Sequence, residues 1–225
     1  LEKATGAKFD EENLTASIRV YNRHNDAMRR VAAALSRHPE VTARQRSDLF
    51  KSAFFMKKET HTALVEELLG QWGEGSEAGE KVPVMTTGIL CDSPALLDIF
   101  DELGLRIVAD DVAAESRQYR TDTPDGMAPL DALSEKFARM GLCSVLYDPK
   151  KERIEHIVET ARTAGAKGVV VVLTKFCDPE EFDYPILKKA CTAAGIPVAL
   201  IEVDRQMEDF EQARTMLEAF KETLV

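Results

Sequence analysis

The chain has 225 residues and a formal net charge of −10 at pH 7. Its Lys and Arg residues are spread along the whole length, which argues against a nucleic-acid-binding surface, because such a surface needs clustered positive charge. The apolar runs stop short of the roughly 20 residues that a membrane-spanning helix requires, and no signal sequence opens the chain. These features predict a cytoplasmic protein that is long enough for two structural units.

Four cysteines are present, without CxxC spacing and without the density of a secreted disulfide scaffold: Cys91, Cys143, Cys177 and Cys191. Reduced thiols in a reducing compartment are the simplest interpretation. The sequence contains no complete zinc or iron–sulfur motif. Because it begins with Leu1 instead of Met, we expect it to be a piece of a longer polypeptide.

The first third of the chain has the apolar spacing of helices. Apolar residues three and four apart predict one long amphipathic helix from Asp10 to about Ser36. Thr42 and Gln45 form a capping-box pattern, which predicts that helical structure resumes there and continues to Trp72.

A polar stretch then interrupts this pattern. GEGSEAGEK, residues 73–81, has glycine, serine and charge without an apolar anchor, and it predicts a domain boundary. We therefore predict a helical lead-in segment over residues 1–80 and an α/β domain over residues 81–225.

Strand-like and helix-like segments alternate after the boundary. The predicted strands are VPVMTTG with its exit loop, LRIVADD, VVVVLT and IPVALIEV. Helices are predicted between them, including one from Tyr184 to Ala194 and a closing one from Gln206 to about Leu224. This alternation predicts an open parallel sheet of the flavodoxin or Rossmann-like kind, with helices on both faces.

In such a sheet, ligands bind outside the carboxyl ends of the strands. This rule places a set of candidate residues along one edge of the sheet, which we call the carboxyl edge. The set is Thr86, Thr87, Gly88, Asp110, Asp111, Lys175, Phe176, Cys177, Glu202 and Asp204.

Two of these groups have alternative interpretations. Thr86 to Gly88 lead toward a helix amino terminus that could hold a carboxylate, phosphate or thioester oxygen, but a glycine that only makes the turn is an equal alternative. Asp110 and Asp111 are interpreted first as solvated carboxylates at a strand end, and the alternative is that an acid here receives a ribose hydroxyl or orients another group. Arg117 and Arg120 could pair with these acids or bind the phosphates of a bulky ligand.

Cys177 follows the most apolar strand directly. A catalytic thiol would need a histidine nearby, and His156, the one histidine of the α/β part, is predicted on a helix. A ligand of an iron–sulfur cluster or zinc is the better functional interpretation, and a small half-buried hydrophobic residue is the alternative. For the other three cysteines, packing is favoured over ligation.

Two blocks of the sequence carry a family resemblance: TKFCDPEEFDYPILKKACTAAGIPVALIEVD and, upstream, VMTTGILCDSPALLDIFDELGLRIVADD. Together with the helical lead-in they resemble the carboxyl-terminal half of the 2-hydroxyacyl-CoA dehydratase and benzoyl-CoA reductase family, as a D-type subunit. The resemblance covers most of the chain, and KFCDP in this order with the other blocks is its specific feature.

The resemblance implies an oxygen-sensitive lyase of anaerobic metabolism that carries a 4Fe-4S cluster held by cysteines. Cys177 matches the family's carboxyl-terminal cluster cysteine, and the other ligands are expected outside this chain. The segment Thr86 to Gly88 and the pair Asp110 and Asp111 would then face the substrate cleft.

The resemblance also implies partners and a reaction. The expected partners are a homologous second subunit, an ATP-dependent iron–sulfur activator protein and an acyl-CoA substrate. An electron passed to the thioester carbonyl would give a ketyl radical anion that expels the 2-hydroxyl group. A benzoyl-CoA reductase subunit and a noncatalytic α/β scaffold subunit without a cluster are the alternatives.

Overall fold

The computed structural model describes residues 2–76 and 79–225. Its first part is helical and consists of α1 (Glu2–Thr5), α2 (Glu11–Leu35), α3 (Ala43–Ser52) and α4 (Lys58–Gln71). The predicted boundary stretch, residues 73–81, includes residues 77 and 78, which lie outside the described residues. The division into two domains stays a prediction.

The second part alternates strands and helices, as the sequence predicts. Its elements are β1 (Val82–Gly88), α5 (Pro94–Glu102), β2 (Leu105–Val112), a 3-10 turn (Ser116–Tyr119), α6 (Pro129–Arg139), α7 (Glu152–Thr163), β3 (Gly168–Thr174), α8 (Asp178–Ala193), β4 (Val198–Val203) and α9 (Glu211–Glu222). No helix of the described residues is long and apolar enough to cross a membrane.

The described strands β1 to β4 form one parallel sheet in the order β2-β1-β3-β4, which confirms the predicted open α/β fold. The first strand lies between the second and the third. The chain therefore forms β2 on one side of β1 and then crosses to the other side to form β3. The point where strand order reverses is therefore between the carboxyl ends of β1 and β3, the usual position of a ligand crevice in such a sheet.

Apolar residues cover both faces of the sheet, since alternate residues of a strand point to opposite sides. One core packs α5 and α9 against residues such as Val84 and Val170. The other packs α7 and α8 against Met85, Val169 and Val171. The valine run therefore contributes to both cores, which explains why it is apolar without alternation.

The helical part begins where the sequence predicts, but its second predicted helix is interrupted in the middle. Asp10 caps α2, and Thr42 and Gln45 form the predicted capping box of α3. The helical stretch predicted to continue to Trp72 is broken between α3 and α4. At this break the Ser52 hydroxyl donates to the Leu49 carbonyl at 2.7 Å, which satisfies one of the carbonyls that a helix end leaves free.

Helix α8 begins earlier than predicted. The predicted start near Tyr184 is wrong: the helix starts at Asp178 and continues through Pro185. The extra turns are held by side chains that the local pattern does not reveal, because Glu180 and Asp183 are buried and paired with cations from other elements.

The helical part contacts the α/β part at several polar points. The Asp101 carboxylate of α5 accepts the backbone N–H of Ala43 at 3.0 Å, and so places negative charge at the amino terminus of α3. On α2, Arg29 pairs with Asp122 at 2.7 Å. These contacts orient α3 so that one of its side chains, Arg46, reaches the carboxyl edge of the sheet.

Candidate functional site

The two aspartates at the end of β2 lie on opposite faces of the sheet. In the parallel register Thr86 of β1 pairs with Asp110, and Thr87 pairs with Asp111. Because successive side chains alternate across a strand, these neighbours must enter different surroundings. Both carboxylates are buried, so their interpretation as solvated strand-end acids is wrong.

Asp110 belongs to a buried ion cluster that joins the helical part to the sheet. We call it the Arg46 cluster, and it consists of Arg46, Asp110 and Glu115. The guanidinium of Arg46 donates to Asp110 Oδ2 at 2.5 Å and to Glu115 Oε2. Asp110 Oδ1 also accepts the backbone N–H of Ser116 at 3.0 Å, so this carboxylate fixes the 3-10 turn as well.

Burial dominates the protonation of this cluster. Loss of solvent contact, together with the neighbouring Asp110 charge, raises the pKa of Glu115 to about 7 despite the ion pair with Arg46. Burial and the same acids also raise the pKa of the adjacent Cys91 thiol above its ordinary range. Cys91 is therefore a neutral, packed thiol, as the sequence favours.

Asp111 is the centre of a second buried cluster. It accepts from Arg117 Nη2 at 2.9 Å, from Arg120 Nη2 at 2.6 Å and from Arg153 Nε at 2.8 Å. Burial alone would raise the pKa of Asp111, but the three arginines together lower it. The Thr87 hydroxyl donates to the same carboxylate at 3.0 Å.

The second cluster reaches the start of α8. Arg153 of α7 pairs with Glu180 at 3.1 Å and lies 3.5 Å from Asp183. Arg117 lies 3.7 Å from Glu180. We call this set of three arginines and three acids the Asp111 cluster; its members are Asp111, Arg117, Arg120, Arg153, Glu180 and Asp183.

The Asp111 cluster also fixes the loop between α6 and α7. Three consecutive residues of that loop contact it: the Leu142 carbonyl accepts from Arg120, the Cys143 sulfur accepts from Arg117 at 3.4 Å, and the Ser144 hydroxyl donates to Glu180 at 2.5 Å. This loop carries no regular structure, so these side-chain bonds hold it on the edge of the sheet.

Cys177 is half-buried and is the residue that precedes the first turn of α8. Its N–H donates to the Thr174 carbonyl at 3.1 Å, and its own carbonyl accepts the Glu180 N–H at 3.0 Å. The preceding Phe176 has a left-handed φ of 66°, a conformation that is costly for a residue other than glycine. The turn after β3 thus presents the thiol at the carboxyl edge, one helical turn before Glu180.

The predicted site residues are only partly brought together. Cys177 and Asp111 are linked through Glu180, whereas Asp110 faces the helical part. Thr86, Thr87 and Gly88 are the last residues of β1 itself and not a turn after it. Both threonine side chains are buried, and the Thr87 hydroxyl is engaged by Asp111 and Arg153.

A cluster at Cys177 needs ligands besides this thiol. Within residues 2–76 and 79–225 no three His, Cys, Asp or Glu side chains are arranged to hold a metal ion. A half-buried cysteine at the edge where strand order reverses fits one ligand of an iron–sulfur cluster, but the described residues do not form a closed site.

The fold and this edge define an open α/β protein whose strand order reverses between β1 and β3. The chain belongs to the family described as 2-hydroxyglutaryl-CoA dehydratase, D-component, whose model matches residues 1–224. This confirms the resemblance that the KFCDP block indicates.

Three relatives are similar over nearly the whole chain. The (R)-phenyllactyl-CoA dehydratase beta subunit of Clostridium sporogenes is 46% identical over 100% of this chain. The (R)-2-hydroxyglutaryl-CoA dehydratase subunit beta of Acidaminococcus fermentans is 38% identical over 100% of it, and a benzoyl-CoA reductase subunit of Thauera aromatica is 27% identical over 98%. The chain spans only 60–61% of the length of these proteins.

Sequence reasoning missed four charged residues that organise the edge: Arg46, Arg153, Glu180 and Asp183. Each lies on a helix at a position where a charged residue is ordinarily solvated. One signal was available, since two adjacent acids that end a buried strand need at least two cationic partners, one on each face of the sheet.

Proposed function

We propose that the chain is the carboxyl-terminal part of a D-component subunit of a 2-hydroxyacyl-CoA dehydratase, a lyase that removes water from a 2-hydroxyacyl thioester. The observation that supports this proposal most directly is the position of Cys177, whose thiol lies at the carboxyl edge in a chain of this family. The dehydratase is proposed over the benzoyl-CoA reductase because identity to the dehydratase subunit is 46%, against 27% to the reductase subunit.

Cys177 is, in this proposal, one ligand of a 4Fe-4S cluster, and its remaining ligands come from residues outside those described. A cluster held there would supply one-electron chemistry of low potential for removal of the 2-hydroxyl group. The polypeptide's task at this edge is to hold the thiol in a fixed position.

The Asp111 cluster supports that task. Glu180 is hydrogen-bonded through its backbone to Cys177 and through its side chain to Arg153 and Ser144. A shift of the first turn of α8 would therefore break buried ion pairs, which is costly because an unpaired buried charge has lost its hydration. This coupling favours a single position of the Cys177 turn.

The partners in this proposal are a homologous second subunit, an ATP-dependent iron–sulfur activator and the acyl-CoA substrate, all acting in the cytoplasm. The four cysteines are free thiols, which fits a reducing compartment. We also propose that five residues at the carboxyl edge contribute to substrate binding: Thr86, Thr87, Gly88, Asp110 and Asp111. Because they are buried, the simplest role for them is indirect, through holding the carboxyl edge in place.

An anaerobic assay tests the function. The full-length polypeptide, its second subunit and the activator are combined with ATP, a reductant and a 2-hydroxyacyl-CoA, and the thioesters are separated by chromatography with mass detection. Conversion to a 2-enoyl-CoA that is lighter by one water supports the proposal. An intact dehydratase complex that reduces benzoyl-CoA and leaves every 2-hydroxyacyl-CoA unchanged would favour the reductase instead.

A further inference from the structure

Two buried histidines lie in the helical part, away from the carboxyl edge. His24 of α2 is 1% exposed and His61 of α4 is 2% exposed. The His24 Nε2 and His61 Nδ1 atoms are 2.9 Å apart, and the His61 Nε2 and Ser52 Oγ atoms are also 2.9 Å apart. Ser52 is the last residue of α3, so these side chains join three helices. We call this set, His24, His61 and Ser52, the histidine chain.

The order of the protons along the histidine chain follows from its last bond. The Ser52 hydroxyl donates to the Leu49 carbonyl at 2.7 Å, so the hydroxyl oxygen accepts from His61 Nε2–H. A neutral His61 then has a lone pair on Nδ1, which accepts from His24 Nε2–H. Each bond of the histidine chain therefore has one donor and one acceptor when both rings are neutral.

An added proton meets no compensating charge around the two rings. Both rings lie near Lys58, a cation at the start of α4, and the His24 ring also contacts the edge of the Tyr119 ring at 5.5 Å between centroids. Burial raises the pKa of Tyr119 to about 12, so this phenol is neutral. Of the described carboxylates, none is paired with either ring. A proton on either histidine is therefore a buried charge beside another cation.

Both rings resist protonation as long as they stay buried. Burial first, and then the Lys58 and His61 charges, lower the pKa of His24 to about 4. Burial also lowers the pKa of His61, and Lys58 adds to this effect. A solvated histidine titrates near pH 6.5, so acid favours a conformation in which the rings are exposed to water.

The histidine chain holds the break between α3 and α4. Residues 53–57 are not α-helical, and a second side chain ties this break, because the Lys58 ammonium donates to the Ala53 carbonyl at 2.5 Å. Next to Ser52, at the end of α3, Lys51 pairs with Asp92 of the loop after β1 at 3.1 Å. A movement of the end of α3 would therefore reach the carboxyl edge through this ion pair.

We propose that the histidine chain is an acid-sensitive latch, which holds the end of α3 against α2 and α4 while both rings are neutral and releases it when a ring is protonated. Release exposes the rings to water and frees the break between α3 and α4. The sheet stays folded, because the described strands contain no histidine. This inference goes beyond the proposed function and does not depend on it, since it involves neither Cys177 nor a bound thioester.

Hydrogen–deuterium exchange of the full-length polypeptide tests the latch. Peptides that cover residues 49–62 are compared at about pH 7.5 and about pH 5, on either side of the ordinary histidine pKa, after correction for the intrinsic pH dependence of amide exchange. In wild type, the protection of this segment is expected to fall at least about tenfold at the lower pH. The protection of β3 (Gly168–Thr174) is expected to stay within about twofold.

Two variants and a matched control decide the assignment. His24→Gln and His61→Gln should each reduce the acid response to less than about twofold, because an amide can present its N–H or its oxygen and takes up no proton. The control His38→Gln replaces a buried histidine that is bonded to Glu40, outside the histidine chain, and should keep the full response. Equal protection of residues 49–62 at both pH values in wild type, or a response that survives in either variant, would overturn the latch. A fall as large in β3 would also overturn it, because it would report global unfolding.

Discussion

Replacing Asp111 with Asn removes the charge at the centre of the Asp111 cluster and keeps the size of the side chain. In the native chain, Asp111 accepts hydrogen bonds from three arginines at 2.6–2.9 Å. In Asp111→Asn the three guanidinium groups retain only two acids, Glu180 and Asp183, and an amide N–H₂ faces groups that can only donate.

The expected loss of stability follows from burial. Asp111 is 0% exposed, and the side chains of Arg117 and Arg153 are 5% and 3% exposed, so solvent screens these charges poorly. Removing one partner of a buried ion pair costs about 3–5 kcal/mol. We expect Asp111→Asn to lower the free energy of unfolding by this amount.

Urea denaturation followed by circular dichroism measures the change. The matched control is Asp98→Asn, which removes a carboxylate that is 48% exposed and lies 3.4 Å from Arg44. A surface pair of this kind contributes about 0–1 kcal/mol, so the control should unfold close to wild type.

A double variant sharpens the test. Arg120 is the most exposed arginine of the cluster, and Asp111→Asn/Arg120→Gln restores the balance of two arginines and two acids. It should be more stable than Asp111→Asn by about 1 kcal/mol, because residues in one network are not additive. If Asp111→Asn lost less than about 1 kcal/mol, like the Asp98→Asn control, charge pairing would not be what holds this edge together.

Two further predictions concern the fold. A Cβ on Gly88, whose φ is +152°, would lie 2.2 Å from the Val172 carbonyl oxygen. Gly88→Ala should therefore cost about 2–4 kcal/mol in the same urea assay. The control Gly70→Ala, whose added Cβ would have no atom within 4 Å, should be neutral or stabilising. Burial, and then the nearby Lys58 and His61 charges, lower the pKa of His24 to about 4. The contribution of neutral His24 to stability is complete above pH 6.5 and is lost as the pH falls toward 4. His24→Gln should flatten this part of the curve of unfolding free energy against pH, and an unchanged curve would contradict the burial argument.

The apolar pattern of the sequence was sufficient to predict the strands of the sheet. The valine run at Val169 to Val172, for example, is buried on both faces whatever its neighbours are. It was insufficient at the start of α8. There Pro185 disfavours a continuous helix, and the pairing of Glu180 and Asp183 with α7 overrides this preference.

The candidate edge was predictable from topology, but its electrostatics were not. Asp110 and Asp111 could be placed at a strand end from the sequence alone. Their burial depends on Arg46 and Arg153, which arrive from helices 64 and 42 residues away in sequence. Two adjacent acids that end a buried strand indicate that cationic partners are needed, but a single sequence does not show which distant arginines supply them.

The iron content of the full-length polypeptide after anaerobic reconstitution tests the central claim most directly. Wild type and Cys143→Ser, which alters the other half-buried thiol, should bind the same amount of iron, about four per cluster, with the same visible absorption. Cys177→Ser should bind severalfold less iron or give a changed spectrum. Equal iron and an identical spectrum in Cys177→Ser would show that this thiol is not a cluster ligand.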